Sequence, residues 1–240
     1  MKTLDTLVDD IYTSLEPLSR NEPLAISDEE IERTGENIKE ALRQWARPSE
    51  RNTSFTIRMS NLGKPFRQLW FEKRDNNKTT LDSSTLIRFL YGHILEEVVL
   101  MLARLSGHSV TDEQKEVTVD GIKGHIDCKI DGEIIDVKTA SRMSFNKFKS
   151  GGVSEDDPFG YIAQLTSYEE AEGTDEGGFL VIAKDSGELC LYRPESLDKP
   201  NVKSRIKKLK TSLSLDKPPP LCYAPVSYTH LRAHETVLDL

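Results

Sequence analysis

The clearest structural signal in this chain is EVTVDGIKGHIDCKIDGEIIDVKTAS, residues 116–141. β-Branched residues alternate with polar ones along it, which is the spacing of a half-buried β-strand. Asp131 and Gly132 separate GHIDCKI from EIIDVKTA, and an Asp-Gly pair favours a two-residue turn because both residues tolerate positive φ. The segment therefore predicts a β-hairpin over roughly residues 116–140.

Helical and strand patterns continue on both sides of this hairpin. Residues 82–106 have the apolar pattern of a long, largely buried helix that ends at Ser106-Gly107. After a predicted loop at 143–160, YIAQLTSYEEAE predicts a helix over 160–172, and GGFLVIAK and ELCLYR predict two strands. This order predicts an α/β fold in which a central mixed β-sheet is flanked by helices.

The N-terminal part of the chain predicts a helical extension that spans residues 1–55. Residues 3–18 and 27–46 have helical spacing. Ser27, followed three residues later by Glu30, has the pattern of a capping box at the start of the second helix.

The C-terminal residues do not continue the core pattern. We expect the core to span residues 56–215, since a chain of 240 residues suits one domain with appendages. Residues 216–240 predict a proline-rich segment and an unstructured tail, because consecutive prolines continue neither a helix nor a central strand. From Val226 onward the tail resembles the translation of a sequencing adapter, so we interpret it as foreign and expect the natural chain to be truncated.

Composition limits the classes of protein to consider. Charged residues make up 30% of the chain and hydrophobic residues 37%, so we expect no membrane span and no membrane partner. Acidic residues interrupt the apolar N-terminus, which predicts no signal peptide and a cytoplasmic location. The net charge of −8 argues against coating of nucleic acid through a global basic field, but it allows local basic patches.

The cysteines and two histidines give no metal site of their own. Cys128, Cys190 and Cys222 are far apart and lack CxxC spacing, so they predict neither a disulfide framework nor a complete metal knuckle. Cys128 is interpreted as a small buried residue. His93 and His125 lack a third ligand at usable spacing, and we interpret them as core or DNA-facing histidines.

Two acids and a lysine on the hairpin are the main candidates for chemistry. Asp127 and Asp136 lie on its two strands, and cross-strand neighbours are only about 5 Å apart, so the carboxylates can share one divalent cation. The backbone carbonyl of Val137 is a candidate third oxygen ligand. Lys138 is two residues after Asp136 and therefore lies on the same face of the strand. Phosphodiester hydrolysis needs this combination of a metal-bound water and a group that orients it or helps take its proton.

The alternative is an exposed ion pair between Asp136 and Lys138, with Asp127 as a solvated strand residue. D-x-K occurs by chance in many proteins. IIDVK places Asp136 among apolar residues, however, where an unpaired charge is costly. That context favours a functional site.

Together with the elements around them, these residues resemble the PD-(D/E)XK nuclease superfamily, and within it the phage exonuclease and RecB-like branch. Asp127 matches the first acid, Asp136 the second acid and Lys138 the lysine. The first acid follows Gly124-His125-Ile126, where the family name expects a proline. This variation leaves the carboxylate in place.

The flanking helices extend the resemblance over about residues 57–185. Gly92 and Glu96 match the G-x-x-x-E helix before the hairpin, Gln164 and Tyr168 match the Q-x-x-x-Y helix after it, and SFNKFKSGG, 144–152, resembles the segment between them. Helical periodicity alone would select Glu97 in place of Glu96, but a helix that is apolar on nearly all sides has no decisive stripe. We therefore adopt Glu96.

The resemblance implies a restriction-endonuclease-like core that hydrolyses DNA with Mg²⁺, or with Mn²⁺ as a substitute. The implied metal ligands are Asp127, Asp136, the Val137 carbonyl and Glu96. Lys138 is implied to position water, and Gln164 and Tyr168 to engage DNA. Some relatives carry an iron–sulfur group near the C-terminus, and Cys222 is a possible first ligand of one lost by truncation. The three cysteines present cannot make it, so none is expected in this chain.

The leading role implied by the resemblance is an exonuclease that acts on DNA ends in phage recombination or DNA turnover, with a partner such as a single-strand annealing protein. A restriction-type or structure-selective endonuclease is the alternative within the enzyme class. A DNA-binding module without catalysis, in which Lys64, Arg67, Lys147 and Lys149 bind phosphates, is the alternative from another class. An RNA substrate also stays open, although no feature reads the 2′-hydroxyl.

Basic stretches supply the candidate phosphate contacts. IRMSNLGKPFRQLWFEK, 57–73, interleaves cations with aromatic residues and contains Arg67. It also suits a helix with aromatics inward and solvated cations outward. Lys147 and Lys149 are candidates after the hairpin, and KSRIKKLK, 203–210, predicts a basic helix that is either solvated or DNA-binding.

Overall fold

The computed structural model describes residues 2–47, 55–75 and 81–221. Within these ranges the helices are α1 Leu7–Ser14, α2 Glu16–Ser19, α3 Asp28–Ala46, α4 Phe66–Arg74, α5 Ser83–Leu105, α6 Arg142–Ser150, α7 Tyr161–Glu172 and α8 Val202–Ser214. The strands are β1 Val110–Thr111, β2 Glu116–Val119, β3 Ile122–His125, β4 Cys128–Ile130, β5 Glu133–Ala140, β6 Gly177–Ala183 and β7 Leu189–Tyr192. Short 3-10 turns, Leu4–Thr6 and Met59–Asn61, precede α1 and α4.

A five-stranded sheet forms the centre of the described structure, in the order β1-β4-β5-β6-β7. β5 pairs antiparallel with β4 and parallel with β6. Asp131 and Gly132 connect β4 to β5 with φ of 53° and 92°, so the predicted Asp-Gly turn is confirmed. The predicted α/β architecture, a central mixed sheet flanked by helices, is confirmed as well.

The first half of the predicted hairpin is two strands, not one. β3 pairs with β2 in a separate two-stranded sheet, and only β4 joins β5. A second turn, Asp120-Gly121 with φ of 48° and 76°, connects β2 to β3. The prediction of a single hairpin over 116–140 is therefore wrong in this half, because the same Asp-Gly signal occurs twice in the segment.

Helices pack on both faces of the central sheet. Ile134 and Phe179 lie in one apolar cluster with residues of α6, α7 and α8, whereas Ile135 and Leu180 lie in another with residues of α1 and α5. Consecutive strand residues point to opposite faces, so β5 and β6 contribute to both clusters. All seven residues of β6 are buried, which fits a central strand covered on both sides.

The helix limits follow local capping groups. Asp82 accepts a hydrogen bond from the Thr85 N–H at 2.9 Å at the start of α5, and Ser27 accepts one from the Glu30 N–H at 3.2 Å at the start of α3. Both predicted helices are confirmed. The division into an extension of residues 1–55 and a core of 56–215 stays a prediction.

The predicted loop at 143–160 is wrong in its first part, which is helix α6. Ser141 caps this helix, and Gly151, with φ of 77°, ends it. Phe145 and Phe148, three residues apart, are buried against the core. Apart from the exposed Met143, only these two apolar residues occur in a basic, polar segment, so the periodic signal is weak. Packing of both rings compensates for it.

Some predictions fall outside the described residues. Cys222 and the tail from Val226 onward are among them. In the ranges that the structure describes, no helix is long and apolar enough to cross a membrane.

Candidate active site

The site lies where β4 begins beside β5. Cys128 is the first residue of β4 and pairs with Ile135, so continuing the register by one residue places Asp127 opposite Asp136. The Val137 N–H, two residues beyond that of Ile135, donates to Oδ2 of Asp127 at 2.8 Å. The Asp127 side chain thus replaces the strand partner that β5 lacks at this position. Sequence reasoning placed Asp127 within a strand, whereas it lies in the break between β3 and β4.

Asp136 is the most unusual charged residue of the site. Its side chain is buried, and among the residues that the structure describes its carboxylate has one polar partner, Lys138. The ammonium group of Lys138 lies against it as an ion pair. A buried carboxylate with one contact is unfavourable, because each oxygen can accept two hydrogen bonds. This carboxylate therefore has free capacity to bind another cation or donor.

Glu96 and Glu97 of α5 face different neighbours. Oε1 of Glu96 accepts a hydrogen bond from Nε2 of Gln114 at 2.9 Å, and the charges of Asp127 and Asp136 act on Glu96. Oε2 of Glu97 accepts a hydrogen bond from Nδ2 of Asn37 on α3 at 2.8 Å. The structure thus places Glu96, the residue chosen by motif, on the side of the two aspartates.

Burial and mutual repulsion raise the pKa values of two of these acids. Burial, with added repulsion from Asp127, Glu97 and Asp136, raises the pKa of Glu96 to about 8. Burial and the charge of Asp136 likewise raise the pKa of Asp127 to about 7. Burial lowers the pKa of Lys138, but the charges of Asp136 and Asp127 outweigh it, so the pKa is raised above its usual range. The site holds more negative charge than one lysine neutralises.

A divalent cation fits this donor set in charge and chemistry. The site offers carboxylate oxygens, which hard cations such as Mg²⁺ prefer, and those of Asp136 have only Lys138 as a polar partner among the described residues. No three acidic, histidine or cysteine side chains within the described ranges are spaced as a preformed metal cage. A metal would thus be held by Asp136 and Asp127 with Glu96 nearby, and the Val137 carbonyl stays a predicted ligand.

Gln164 and Tyr168 form a pair on α7 next to this centre. Nε2 of Gln164 donates to the Tyr168 hydroxyl at 2.7 Å, and burial, with added repulsion from Asp136, raises the pKa of that hydroxyl above its usual range. A Cβ atom on Gly124 would lie 2.8 Å from the Tyr168 ring. Glycine at 124 therefore lets β3 approach the tyrosine.

Two residues that sequence reasoning missed touch the centre. The Tyr161 ring centroid lies 5.1 Å from Nζ of Lys138, a cation–π distance. Gln114, in the connection between β1 and β2, orients Glu96 through the hydrogen bond described above. Tyr161 is the first residue of α7, three before Gln164, and helical spacing could have placed it on the same face.

The predicted DNA contacts already have partners within the chain. Lys147 and Lys149 of α6 form ion pairs with Asp156 and Glu188. Arg67 of α4 donates to the carbonyl oxygen of Pro219 at 2.7 Å. Their role in DNA binding stays a prediction.

The remaining candidate residues from the sequence analysis differ in how deeply they are buried. Cys128 is buried, as predicted, and burial raises the pKa of its thiol well above the usual range. His93 and His125 are both exposed, so the interpretation as core histidines is wrong. In the basic and aromatic segment, α4 buries Leu69 and Trp70 but exposes Phe71. Its cations donate to backbone carbonyls of residues 213–219, so the prediction of inward aromatics and solvated cations is only partly right.

Comparison with known proteins gives distant likenesses only. No protein-family model matches the chain, and no curated protein matches it either. The fold is similar to the crystal structure of an alkaline exonuclease, LHK-Exo, from Laribacter hongkongensis, at 15% identity and a TM-score of 0.46, over 80% of this chain and 98% of that one. LHK-Exo in complex with dAMP has 15% identity and a TM-score of 0.36, over 72% and 80% of the two chains. A structure described as SSO0001 has 17% identity and a TM-score of 0.41, over 78% and 89%.

Proposed function

We propose that this chain is a metal-dependent nuclease that hydrolyses phosphodiester bonds of DNA. The observation that carries the proposal is the buried carboxylate of Asp136, whose one polar partner among the described residues is Lys138 and which lies beside Asp127. Structural ion pairs are usually satisfied by hydrogen bonds, whereas a metal site keeps carboxylate oxygens free for the cation. The order of motifs in the sequence supports the same function.

Each side chain of the centre has a chemical task. Asp127, Asp136 and Glu96 would hold Mg²⁺, or Mn²⁺ in its place, with the Val137 carbonyl as a further ligand. The cation supplies a water of lowered pKa and stabilises negative charge on the phosphate. Lys138 has a raised pKa, so in the metal-free protein it is protonated near neutral pH. It would orient water or a phosphate oxygen by donating hydrogen bonds, not by accepting a proton.

Hydrolysis forms one bond from the water oxygen to phosphorus and breaks one phosphorus–oxygen ester bond. The proton that the water loses to solvent is balanced by the proton that the leaving oxygen takes up. Lys138 is held for this step on two sides, by the Asp136 carboxylate and by the Tyr161 ring. Gln164 and Tyr168 would contact the substrate strand, as their place in the motif suggests. The proposed role is exonuclease action on DNA ends in phage recombination or turnover, in the cytoplasm, with a single-strand annealing protein as the proposed partner.

The test is digestion of end-labelled linear DNA and covalently closed circular DNA, each with and without Mg²⁺. An exonuclease releases label from linear DNA only in Mg²⁺ and leaves the closed circle intact. Cutting of the circle would identify an endonuclease. Binding without cleavage under all conditions would contradict the proposal and favour a DNA-binding module, in which Lys64, Arg67, Lys147 and Lys149 contact phosphates. Single-stranded RNA as a parallel substrate tests whether the enzyme is limited to DNA.

A further inference from the structure

A groove of about 850 Å³ lies between the start of α4 and the outer face of α8, with residues 219–221 along one edge. Four cationic residues line it: Arg67, Arg205, Lys207 and Lys208. Of the described residues that line the groove, none is acidic. The chain has a net charge of −8, so its overall charge does not account for a basic groove. The basic residues are concentrated locally in this groove.

Helix α8 separates its basic residues onto different neighbours. Its apolar side buries Val202, Ile206, Leu209 and Leu213. Outside the groove, Lys203 forms an ion pair with Glu170 at 2.6 Å, and Lys210 donates to the carbonyl oxygen of Asp120 at 2.8 Å. Lys207 and Lys208 are exposed and form no ion pair within the described part of the chain. Two cations therefore point into the groove with free hydrogen-bond donors.

The wall of the groove is connected to the candidate active site. The Arg205 guanidinium donates to the carbonyl oxygens of Leu62, Gly63 and Lys64. Gly63 packs against Gly160 so closely that a Cβ on Gly63 would lie 2.1 Å from the Gly160 Cα. Tyr161, the next residue, contacts Lys138. The groove is thus linked to the candidate active site by packed contacts that pass through residues 62–64 and the start of α7.

The lining combines cations with apolar surface. Pro65, Phe66, Pro219, Pro220 and Leu221 line the groove beside the basic residues, and Ser204, Thr211 and Ser212 add hydroxyl groups. A duplex stacks its bases inside and offers mainly phosphates to a protein. A single strand also exposes bases and sugars, which contact apolar and aromatic walls while phosphates contact cations.

We infer that the groove between α4 and α8 binds one strand of DNA that extends from the active site, with Lys207 and Lys208 contacting its phosphates. This inference rests on the proposed function, since it takes the substrate to be DNA. It gives the basic tract at 203–210 a function, strand binding, that is separate from hydrolysis at the candidate active site.

The test measures binding to the full-length chain in EDTA, where metal-dependent cleavage cannot occur. A short fluorescein-labelled single-stranded DNA is titrated with wild type, with Lys207→Ala/Lys208→Ala and with Lys203→Ala/Lys210→Ala, at several salt concentrations. The last variant is a matched control, because it removes two lysines from the same helix outside the groove. Thermal melts check folding, and alanine in an exposed helix position keeps the helix.

The expected result is that Lys207→Ala/Lys208→Ala weakens binding at least ~5-fold at low salt and reduces the salt slope by about 1.4, the effect of two phosphate contacts on a single strand. The control pair should change the dissociation constant less than ~2-fold. An equal loss in both pairs would indicate a diffuse charge effect and overturn the groove. A loss on duplex DNA as large as on single-stranded DNA, or a larger loss on RNA, would overturn the assigned ligand.

Failure of the proposed function gives a different pattern. Hydrolysis of a small phosphodiester, thymidine 5′-p-nitrophenyl phosphate, is measured in Mg²⁺ with the same variants. The Lys203→Ala/Lys210→Ala variant, which is changed outside the groove, should hydrolyse it like wild type. Absence of hydrolysis by wild type, both here and on DNA, with selective loss of strand binding in Lys207→Ala/Lys208→Ala would reject the nuclease and keep the groove. Wild-type strand binding in all variants would reject the groove and keep the nuclease.

Discussion

Two charged clusters lie along the β4–β5 part of the fold, and they behave in opposite ways. The catalytic cluster is our name for the candidate active site, which contains Asp127, Asp136, Glu96 and Lys138. The balanced cluster, as we name it, contains Asp112, Glu172, Lys115 and Lys129, whose two acids and two lysines form four ion pairs.

The pKa values show the difference. A hydrogen bond from Lys129 is the largest cause that lowers the pKa of both Asp112 and Glu172, whereas burial raises the pKa of Asp127 and Glu96. Equal numbers of opposite charges near solvent stabilise each other at little desolvation cost. In the catalytic cluster, three buried acids share one lysine, so their charges do not compensate for the cost of desolvation. The comparison teaches that acids and lysines close together do not by themselves form a candidate active site. What distinguishes the candidate site is buried negative charge that nearby lysines do not neutralise.

The largest expected effect is on DNA cleavage, which should depend on an acid of the catalytic cluster and not on an acid of the balanced cluster. Asp136→Asn keeps the shape of the side chain but removes its charge, so cleavage of DNA in Mg²⁺ should fall at least ~100-fold. Asp112→Asn, the matched change in the balanced cluster, should keep activity within ~2-fold, since its contacts are replaceable at the surface. Initial rates on end-labelled DNA measure both. Comparable rates for Asp136→Asn and wild type would remove Asp136 from the catalytic cluster.

The next effect concerns the lysines. Lys138→Met keeps the aliphatic stem and removes the donor, so the cleavage rate should fall ~100-fold, in the range for loss of a group that positions a proton or water. Lys129→Met, in the balanced cluster, should leave the rate within ~3-fold and lower thermal stability slightly. Rates at saturating DNA distinguish a catalytic loss from weaker binding. Equal losses in the two variants would show that net charge, not position, matters.

A third expected effect is the pH dependence of stability in metal-free protein. The folded-state pKa values of Asp127 and Glu96, about 7 and about 8, lie above those of unfolded acids. The folded state then binds more protons than the unfolded state between about pH 4 and 8, so the free energy of unfolding should fall as pH rises through this window, by an amount on the order of several kcal/mol.

Urea unfolding at several pH values in EDTA measures this slope. The double variant Asp127→Asn/Glu96→Gln should show a smaller dependence of the free energy of unfolding on pH, because both carboxyl groups with a raised pKa are removed. Asp112→Asn should keep it, since the lowered pKa of Asp112 acts only as pH falls through the acidic range. A slope unchanged by the double substitution would show that other groups cause it.

The smallest expected effect lies wholly in the balanced cluster. Glu172→Gln removes one partner of Lys115 and Lys129, whose side chains are 41% and 20% exposed. The free energy of unfolding should fall by less than about 1 kcal/mol, because solvent screens such pairs. Urea unfolding at neutral pH measures the change. A loss of several kcal/mol would mean that this cluster is as buried and as strained as the catalytic one.

Local patterns were enough to locate the hairpin turn and three residues of the catalytic cluster. The Asp131-Gly132 turn and the two-residue spacing of Asp136 and Lys138 depend only on neighbouring residues, as does the cap of α5 at Asp82. The same local signal at Asp120-Gly121 predicts the second turn that we missed. Helix α6 was missed because its stability comes from burying two rings, which a local pattern records weakly.

Other features depend on residues far apart in the chain. Glu96 and Glu97 are adjacent in the sequence but have different partners. Asn37, 60 positions before Glu97, donates a hydrogen bond to the Glu97 carboxylate. Lys147 and Lys149 resemble free phosphate contacts in the sequence, but folding brings Asp156 and Glu188 to them. Lys207 and Lys208 differ from Lys203 only in what the rest of the fold leaves beside them.

The sequence therefore determines which residues can do chemistry and which of them share a strand, because side-chain identity and strand period are local. The tertiary structure determines which charges stay unpaired. Coulomb and hydrogen-bond partners meet across long stretches of chain, and burial, which decides whether an unpaired charge is costly, exists only once the sheet and its helices have packed.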